Sequence, residues 1–214
     1  MNKSPLDLRR EYAQRDLHEA DVDPDPFVQF NRWLDEAAKA EVKDANAFIL
    51  ATATPDGLPA ARTMLLRGAD AANGFVFFTN RQSAKARDIE ANPRACLCFL
   101  WKELERQVRV TGRVERVDDT ESDAYFAQRP RGSQLGAWAS PQSEVIATRD
   151  NLEAKIKALD QKFAGADVPR PPFWGGYRVL PDTVELWQGR AARLHDRLRY
   201  RRDGERWIIE RLAP

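Results

Sequence analysis

Apolar positions recur along the chain in two rhythms. Over 26–43 they fall at helical spacing, with Phe27, Phe30, Trp33 or Leu34, and Ala37 on one side, so this segment is predicted to be an amphipathic helix. Asp25 precedes it as a cap and Pro26 takes its first turn, where a missing N–H costs nothing. From Ala47 onward the rhythm shortens. An apolar run over 47–54 ends in the turn signal Pro55-Asp56-Gly57, and 58–66 follows as the second arm of a hairpin. Segments 74–79, 95–101 and 107–117 read as further strands, the last with Val108, Val110 and Val114 on one face. Helices are predicted over 82–91, closed by Asn92-Pro93, then from a cap at Asp118 or Asp119 to about Gln128, and over 149–163. Arg129-Pro130-Arg131-Gly132 breaks the second of these. Four closing strands are predicted over 174–180, 183–188, 197–201 and 206–212, with Asp203-Gly204 as the last hairpin turn.

Many short antiparallel strands with few helices between them predict a mainly β (α+β) protein, a β-barrel carrying peripheral helices. The strand–helix alternation of a doubly wound sheet is absent, as are GxGxxG and P-loop motifs, so a nucleotide-type cofactor is not held by a Rossmann turn. Residues 1–25 are polar and end in Asp23-Pro24-Asp25-Pro26; they read as a mobile N-terminal arm, and 26–214 as a single domain. No apolar run approaches the ~20 residues of a membrane helix. The opening residues lack the apolar stretch of a secretory signal, so a cytoplasmic location is expected. A formal net charge of +1 argues against a nucleic-acid partner. Cys96 and Cys98, two apart in a strand, share a face and are expected to be buried thiols. With only His18 and His195 as imidazoles, no metal site is expected.

Arginine outnumbers lysine 26 to 8. Composition bias explains such a total as readily as function does, so the positions must decide. The densest stretch runs from Glu185 to Arg197 and holds Trp187, Arg190, Arg193, His195, Asp196 and Arg197. In an extended segment Arg193, His195 and Arg197 would share one face, a cationic wall beside an indole that suits an anionic planar ligand. The plainer reading is a solvated strand end whose charges pair with Asp196 and Glu185. Thr79-Asn80-Arg81-Gln82-Ser83-Ala84-Lys85 runs from a strand into a helix start, where free N–H groups favour phosphate, though an ordinary cap has the same composition. Arg62 and Arg67 fall on opposite faces of a regular strand. Tyr125, Arg129, Arg131 and Ser133 gather donors around one helix break, as a phosphate site or as a polar loop.

Together these blocks resemble the pyridoxine/pyridoxamine 5′-phosphate oxidase family. The resemblance runs from Leu8-Arg9-Arg10-Glu11-Tyr12 to the C-terminal Arg211-Leu212-Ala213-Pro214. It is carried by Glu185-Leu186-Trp187-Gln188-Gly189 with Arg193-Leu194-His195-Asp196-Arg197, and by Leu104-Glu105-Arg106-Gln107-Val108. Arg129-Pro130-Arg131 with Ser133-Gln134-Leu135-Gly136-Ala137-Trp138, and Phe173-Trp174-Gly175-Gly176, complete it. It implies an FMN-binding split β-barrel and a homodimer with FMN between subunits. It also implies an FMN-dependent oxidation of pyridoxine or pyridoxamine 5′-phosphate to pyridoxal 5′-phosphate: hydride passes from C4′ to the flavin, dioxygen becomes hydrogen peroxide, and the amine substrate releases ammonia.

By the same resemblance Arg62, Thr79, Lys85, Gln107, Gln142, Ser143, Trp187 and Arg197 would hold FMN, Arg62 and Lys85 at its phosphate. Thr63, Met64, Leu65, Leu66, Arg67, Phe78 and Ala84 belong to the same cofactor-binding blocks. Tyr125, Arg129 and Ser133, with Arg67 beside them, would clamp the substrate phosphate. Arg193 and His195 would be catalytic, against the pyridine ring, with Leu194 between them, while Arg9, Arg10, Glu11 and Tyr12 would close over the ligand. A related oxidase acting on another ring substrate and a non-catalytic flavin or pyridoxal-phosphate carrier are the competing readings.

Two positions depart from the family pattern. Arg67 stands where Lys is usual, exchanging a point charge for a fork. Ala84-Lys85 stands where Arg-Lys is common, which removes a guanidinium worth about 1.5–3 kcal/mol as a charge-assisted hydrogen bond. FMN retention weaker than the family's is expected. Titration of Ala84→Arg should show tighter FMN binding than the parent chain, and equal affinity overturns this expectation.

Overall fold

The computed structural model describes residues 11, 12 and 14–214. Its five α-helices are α1 (Pro26–Lys39), α2 (Ala84–Ala91), α3 (Asp119–Ala127), α4 (Arg131–Ala139) and α5 (Arg149–Lys162). Its nine strands are β1 (Ala47–Ala53), β2 (Pro59–Leu65), β3 (Gly68–Asp70), β4 (Gly74–Asn80), β5 (Arg94–Trp101), β6 (Arg106–Arg116), β7 (Trp174–Gln188), β8 (Asp196–Asp203) and β9 (Arg206–Arg211). They form one sheet in the order β2-β1-β5-β6-β7-β4-β3, with β8 joined to β7 and β9 to β8. The chain divides into two compact units: residues up to Ile49 with Cys96–Thr111 and Pro181–Pro214, and Leu50–Ala95 with Gly112–Leu180.

In the first unit α1 begins as its residues dictate. Pro26 occupies the first turn and the Asp25 carboxylate accepts from Phe27 N at 2.8 Å. The helix stops at Lys39, short of the expected 43, because Glu41 turns left-handed (φ 56°) and Val42 N returns to the carbonyl of Ala37. Its apolar face buries Phe30 and Trp33 against Phe99 and Trp101, with Phe30 and Phe99 rings 4.9 Å apart. Residues of the expected N-terminal arm are anchored here: Leu17 is buried, its N–H donates to Asp196, and Tyr200 donates to the carbonyl of Asp23. Cys96 and Cys98 are free, and half-buried rather than buried.

In the second unit β4 pairs antiparallel with β7 from Phe75 opposite Val179 to Asn80 opposite Trp174. Asp118 caps α3 by accepting from Glu121 N at 2.7 Å, and Thr148 caps α5. The break at Arg129-Pro130 is as expected, but α4 follows it at once; Pro130 ends one helix and precedes the first turn of the next. Two predicted closing strands are one continuous strand, β7. Pro181 lies past the last pair with β4, at Val179, and before the first with β8, at Thr183, so neither of these two ladders asks a hydrogen bond of it.

Gly176 sits opposite Phe78, and a Cβ there would lie 2.8 Å from both the Phe78 ring and Val117 Cβ. Its missing side chain is what lets the Phe78 ring lie against β7. Gly176→Ala is therefore expected to lower stability by about 1–3 kcal/mol through overpacking, read from the midpoint of urea unfolding.

Candidate functional site

Two groups of residues stand out, one in each unit. In the second unit β4 ends at Asn80, a tight turn follows, and α2 starts at Ala84. Gln82 N donates to the Asn80 side chain at 2.7 Å and Ser83 N to the Asn80 carbonyl, which fixes the turn. Lys85, in the first turn of α2, is buried. Its Nζ donates to Thr79 Oγ1 (3.3 Å), Ser83 Oγ (3.3 Å) and Gln142 Oε1 (3.2 Å). None of these partners is charged. Burial, and next to it the positive charge of Arg62, pulls the Lys85 ammonium down to about 8. The Ala84 N–H donates to Ser143 Oγ at 3.1 Å, with Ser143 itself left-handed at φ 77°.

Arg62 is held from behind. One Nη donates to Thr52 Oγ1 at 2.7 Å, and Thr52 in turn donates to Asp88 at 2.7 Å, while the other Nη lies 3.8 Å from the same carboxylate. Burial lowers the guanidinium's pKa, opposed by Asp88. Thr52 and Asp88 are site residues that sequence reasoning missed; neither sits in a recognisable motif. A buried ammonium, a guanidinium oriented through Thr52 and Asp88, and a helix start fit a phosphate group such as that of FMN.

Thr79 and Gln142 also line an adjoining cavity of about 480 Å³, with Met64, Leu65, Arg67, Phe78, Tyr125, Arg129, Ser133 and Trp174. Phe78 stacks on Tyr125 at 4.0 Å and on Trp174 at 5.5 Å, the planes within 13° and 10°. The Arg67 guanidinium lies 5.7 Å over Tyr125 and that of Arg129 lies 4.6 Å over Trp174. The structure thus gathers Tyr125, Arg129, Ser133 and Arg67 as expected. Thr63 is instead exposed on β2, and Leu66 is buried in the core. The resemblance implies no role for Trp174, although it lies in the Phe173-Trp174-Gly175-Gly176 motif.

In the first unit Trp187 and His195 lie 4.6 Å apart, and the Tyr12 ring meets both edge-on at 5.9 and 5.8 Å. Gly189 makes room: a Cβ there would lie 2.8 Å from Tyr12 Cγ. His195 Nδ1 accepts from Arg190 N at 3.1 Å, which leaves Nε2 as the outward nitrogen. One expectation is corrected here. Arg193, His195 and Arg197 do not share a strand face by alternation, because β8 starts only at Asp196. Ala191–Arg193 forms a 3-10 turn, with left-handed backbone at Ala192 (φ 54°) and Arg193 (φ 62°). The plainer charge-pairing reading holds for two arginines of three. Arg197 binds the buried Glu185 at 2.9 Å and Arg190 pairs with Asp196, whereas Arg193 is exposed and has no carboxylate partner among the described residues. Gln107 is half-buried on β6, and Leu194 and Glu11 are exposed. Arg9 and Arg10 lie outside the described residues. No cluster of metal-ligating side chains occurs among the described residues, and none of their helices is long and apolar enough to cross a membrane.

Residues 34–163 match the family described as pyridoxamine 5′-phosphate oxidase, and 174–214 match the pyridoxine 5′-phosphate oxidase C-terminal dimerisation region. A pyridoxine/pyridoxamine 5′-phosphate oxidase of Rubrobacter xylanophilus is 59% identical over 207 residues, 97% of this chain and 95% of its own. One of Burkholderia multivorans is 56% identical over 211 residues, 97% of this chain and 98% of its own. Among solved structures, PhzG of Burkholderia lata in complex with tetrahydrophenazine-1-carboxylic acid has a TM-score of 0.86 at 33% identity, covering 91% of this chain and 95% of its own. A pyridoxamine 5′-phosphate oxidase-related, FMN binding protein of Nostoc punctiforme shares the fold, with a TM-score of 0.70 at 21% identity over 90% of this chain and 100% of its own. These likenesses bear out the split β-barrel expected from the sequence.

Lys85 gives the cradle a pH dependence. An anion favours the ammonium, so binding above about 8 must take up the proton that Lys85 has lost. The affinity for a phosphate monoester is expected to be level just below pH 8 and to fall above it, by up to about tenfold per pH unit. Calorimetric titration at several pH values checks this. Lys85→Gln should bind more weakly and lose the alkaline decline.

Proposed function

The chain belongs to the pyridoxine/pyridoxamine 5′-phosphate oxidase family, and on that footing we propose that it oxidises pyridoxine 5′-phosphate or pyridoxamine 5′-phosphate to pyridoxal 5′-phosphate with FMN as cofactor. Dioxygen is the electron acceptor and hydrogen peroxide the product; the amine substrate also consumes water and releases ammonia. The carrying observation is that two cationic centres border one cavity: Lys85 through its partners Thr79 and Gln142, and the Arg67–Arg129 pair on the aromatic stack. Two phosphorylated ligands that must meet ask for that arrangement.

FMN, when bound, supplies the two-electron acceptor for hydride removal at C4′. The protein's task is to bind, orient and polarise. Lys85 and Arg62 take the cofactor phosphate, with Ser143, Gln142 and Thr79 as neutral partners, and Gln107, Trp187 and Arg197 contribute further cofactor contacts. Arg129, Arg67, Tyr125 and Ser133 take the substrate phosphate and fix the substrate's register. Arg193, uncommitted to any carboxylate among the described residues, and His195, tethered through Nδ1, stabilise charge on the pyridine ring; Tyr12 packs against His195 and belongs to the segment that closes over the ligand. The match of 174–214 to a dimerisation region supports a homodimer; we propose that FMN lies between its subunits and that the enzyme acts in the cytoplasm.

The likeness to PhzG favours, as a second reading, a related oxidase acting on a different ring substrate. The arginines on the aromatic stack weigh against it. The purified protein is expected to show a flavin spectrum that bleaches anaerobically when pyridoxine 5′-phosphate is added; a spectrum indifferent to that substrate overturns the reading. Arg193→Ala and His195→Ala are each expected to lower turnover at least about tenfold while retaining FMN. Wild-type turnover in both removes them from the catalytic machinery.

A further inference from the structure

The ion-pair pattern separates Arg129 from most of the chain's arginines. Arg106, Arg109, Arg170, Arg178, Arg197, Arg199 and Arg211 each grip a carboxylate. Arg129 has none within reach among the described residues. Its guanidinium carbon lies 4.6 Å over the Trp174 ring and 5.5 Å over Phe126, and its Nη1 is buried without a hydrogen-bond partner. Burial works against the cation most, Tyr125 partly offsets it and the like charge of Arg67 adds to it, so this side chain is held where its charge is disfavoured.

We propose that Trp174 is a positioning residue: its indole face orients the Arg129 guanidinium at the cavity without neutralising it. The proposal rests on the reading of Arg129 as a substrate-phosphate ligand. A carboxylate would orient Arg129 more firmly, but it would also compete with the phosphate for the same N–H donors. An aromatic face attracts the cation through its quadrupole and leaves those donors free. Trp174 is itself immobilised. It is 6% exposed, stacked parallel to Phe78 and met edge-on by Phe126 at 5.1 Å, while its carbonyl accepts from Arg170 at 2.6 Å.

The test compares Trp174→Leu, Trp174→Phe, Arg129→Ala and the Arg129→Ala/Trp174→Leu double variant as FMN-loaded enzymes. The readouts are kcat and KM for pyridoxine 5′-phosphate, kcat/KM for unphosphorylated pyridoxine, and FMN affinity. Trp174→Leu is expected to lose roughly tenfold in the preference for the phosphorylated substrate, mainly through KM, with FMN affinity within about twofold of the parent. Trp174→Phe keeps a ring and should lose roughly threefold, which covers the case in which the leucine variant does not fold. The double variant should be no worse than Arg129→Ala. Equal losses on both substrates, or a double variant whose losses add, overturn the positioning role. An Arg129→Ala enzyme that keeps full preference for the phosphorylated substrate overturns instead the phosphate reading on which the role rests.

Discussion

The antiparallel ladder between β4 and β7 sets the places of Phe78, Thr79 and Trp174 in the second unit's site. Its register puts Gly176 opposite Phe78, Gly175 opposite Thr79 and Trp174 opposite Asn80. Two glycines facing the end of β4 allow a close approach that larger residues would block, and Phe78 then lies parallel to Trp174. From Thr79 the chain turns directly into α2, which carries Lys85 back to hydrogen-bond that same threonine. Phe78 of the aromatic stack and Thr79, the partner of Lys85, are thus consecutive residues of one strand. A slip of one residue would send Phe78 and Thr79 to the wrong faces and dissolve both centres together.

Arginine's excess over lysine, 26 to 8, divides in the same way. Around the sheet, guanidiniums are spent on carboxylates: Glu185 holds both Arg109 and Arg197, and Glu210 both Arg199 and Arg201. At the cavity Arg67 and Arg129 rest on rings instead. The near-zero net charge hides this local arrangement, because acids pair with many of the other arginines while Arg67 and Arg129 form no ion pair among the described residues.

Much of this was legible in the sequence. Alternating valines gave β6, and the caps at Asp25 and Asp118 were readable because capping is local chemistry. What failed were the features that depend on partners distant in sequence. Pro181 looked like a strand end, yet β7 runs through it because its neighbour changes there from β4 to β8. Arg193 and His195 looked like one face of a strand, but Ala192 and Arg193 take a left-handed turn, closed by Leu194 N on the Ala191 carbonyl, that no strand pattern announces. Thr52 and Asp88 were invisible because each matters only through Arg62. The resemblance to a family named residues one by one where spacing named only blocks, and even it was silent on Trp174.

Holding a cation on a ring rather than on a carboxylate also separates the site from the rest of the molecule in acid. Asp119, Glu19 and Glu210 carry pKa values lowered by hydrogen bonds from their arginine partners, so each of those contacts stabilises the fold above the ordinary carboxylate range and is lost as the pH falls through the lowered value. The faces of Trp174 and Tyr125 have no proton to gain there. As acidification strips the outer ion pairs one by one, the two cavity arginines keep their seats for as long as the aromatic stack itself stays packed.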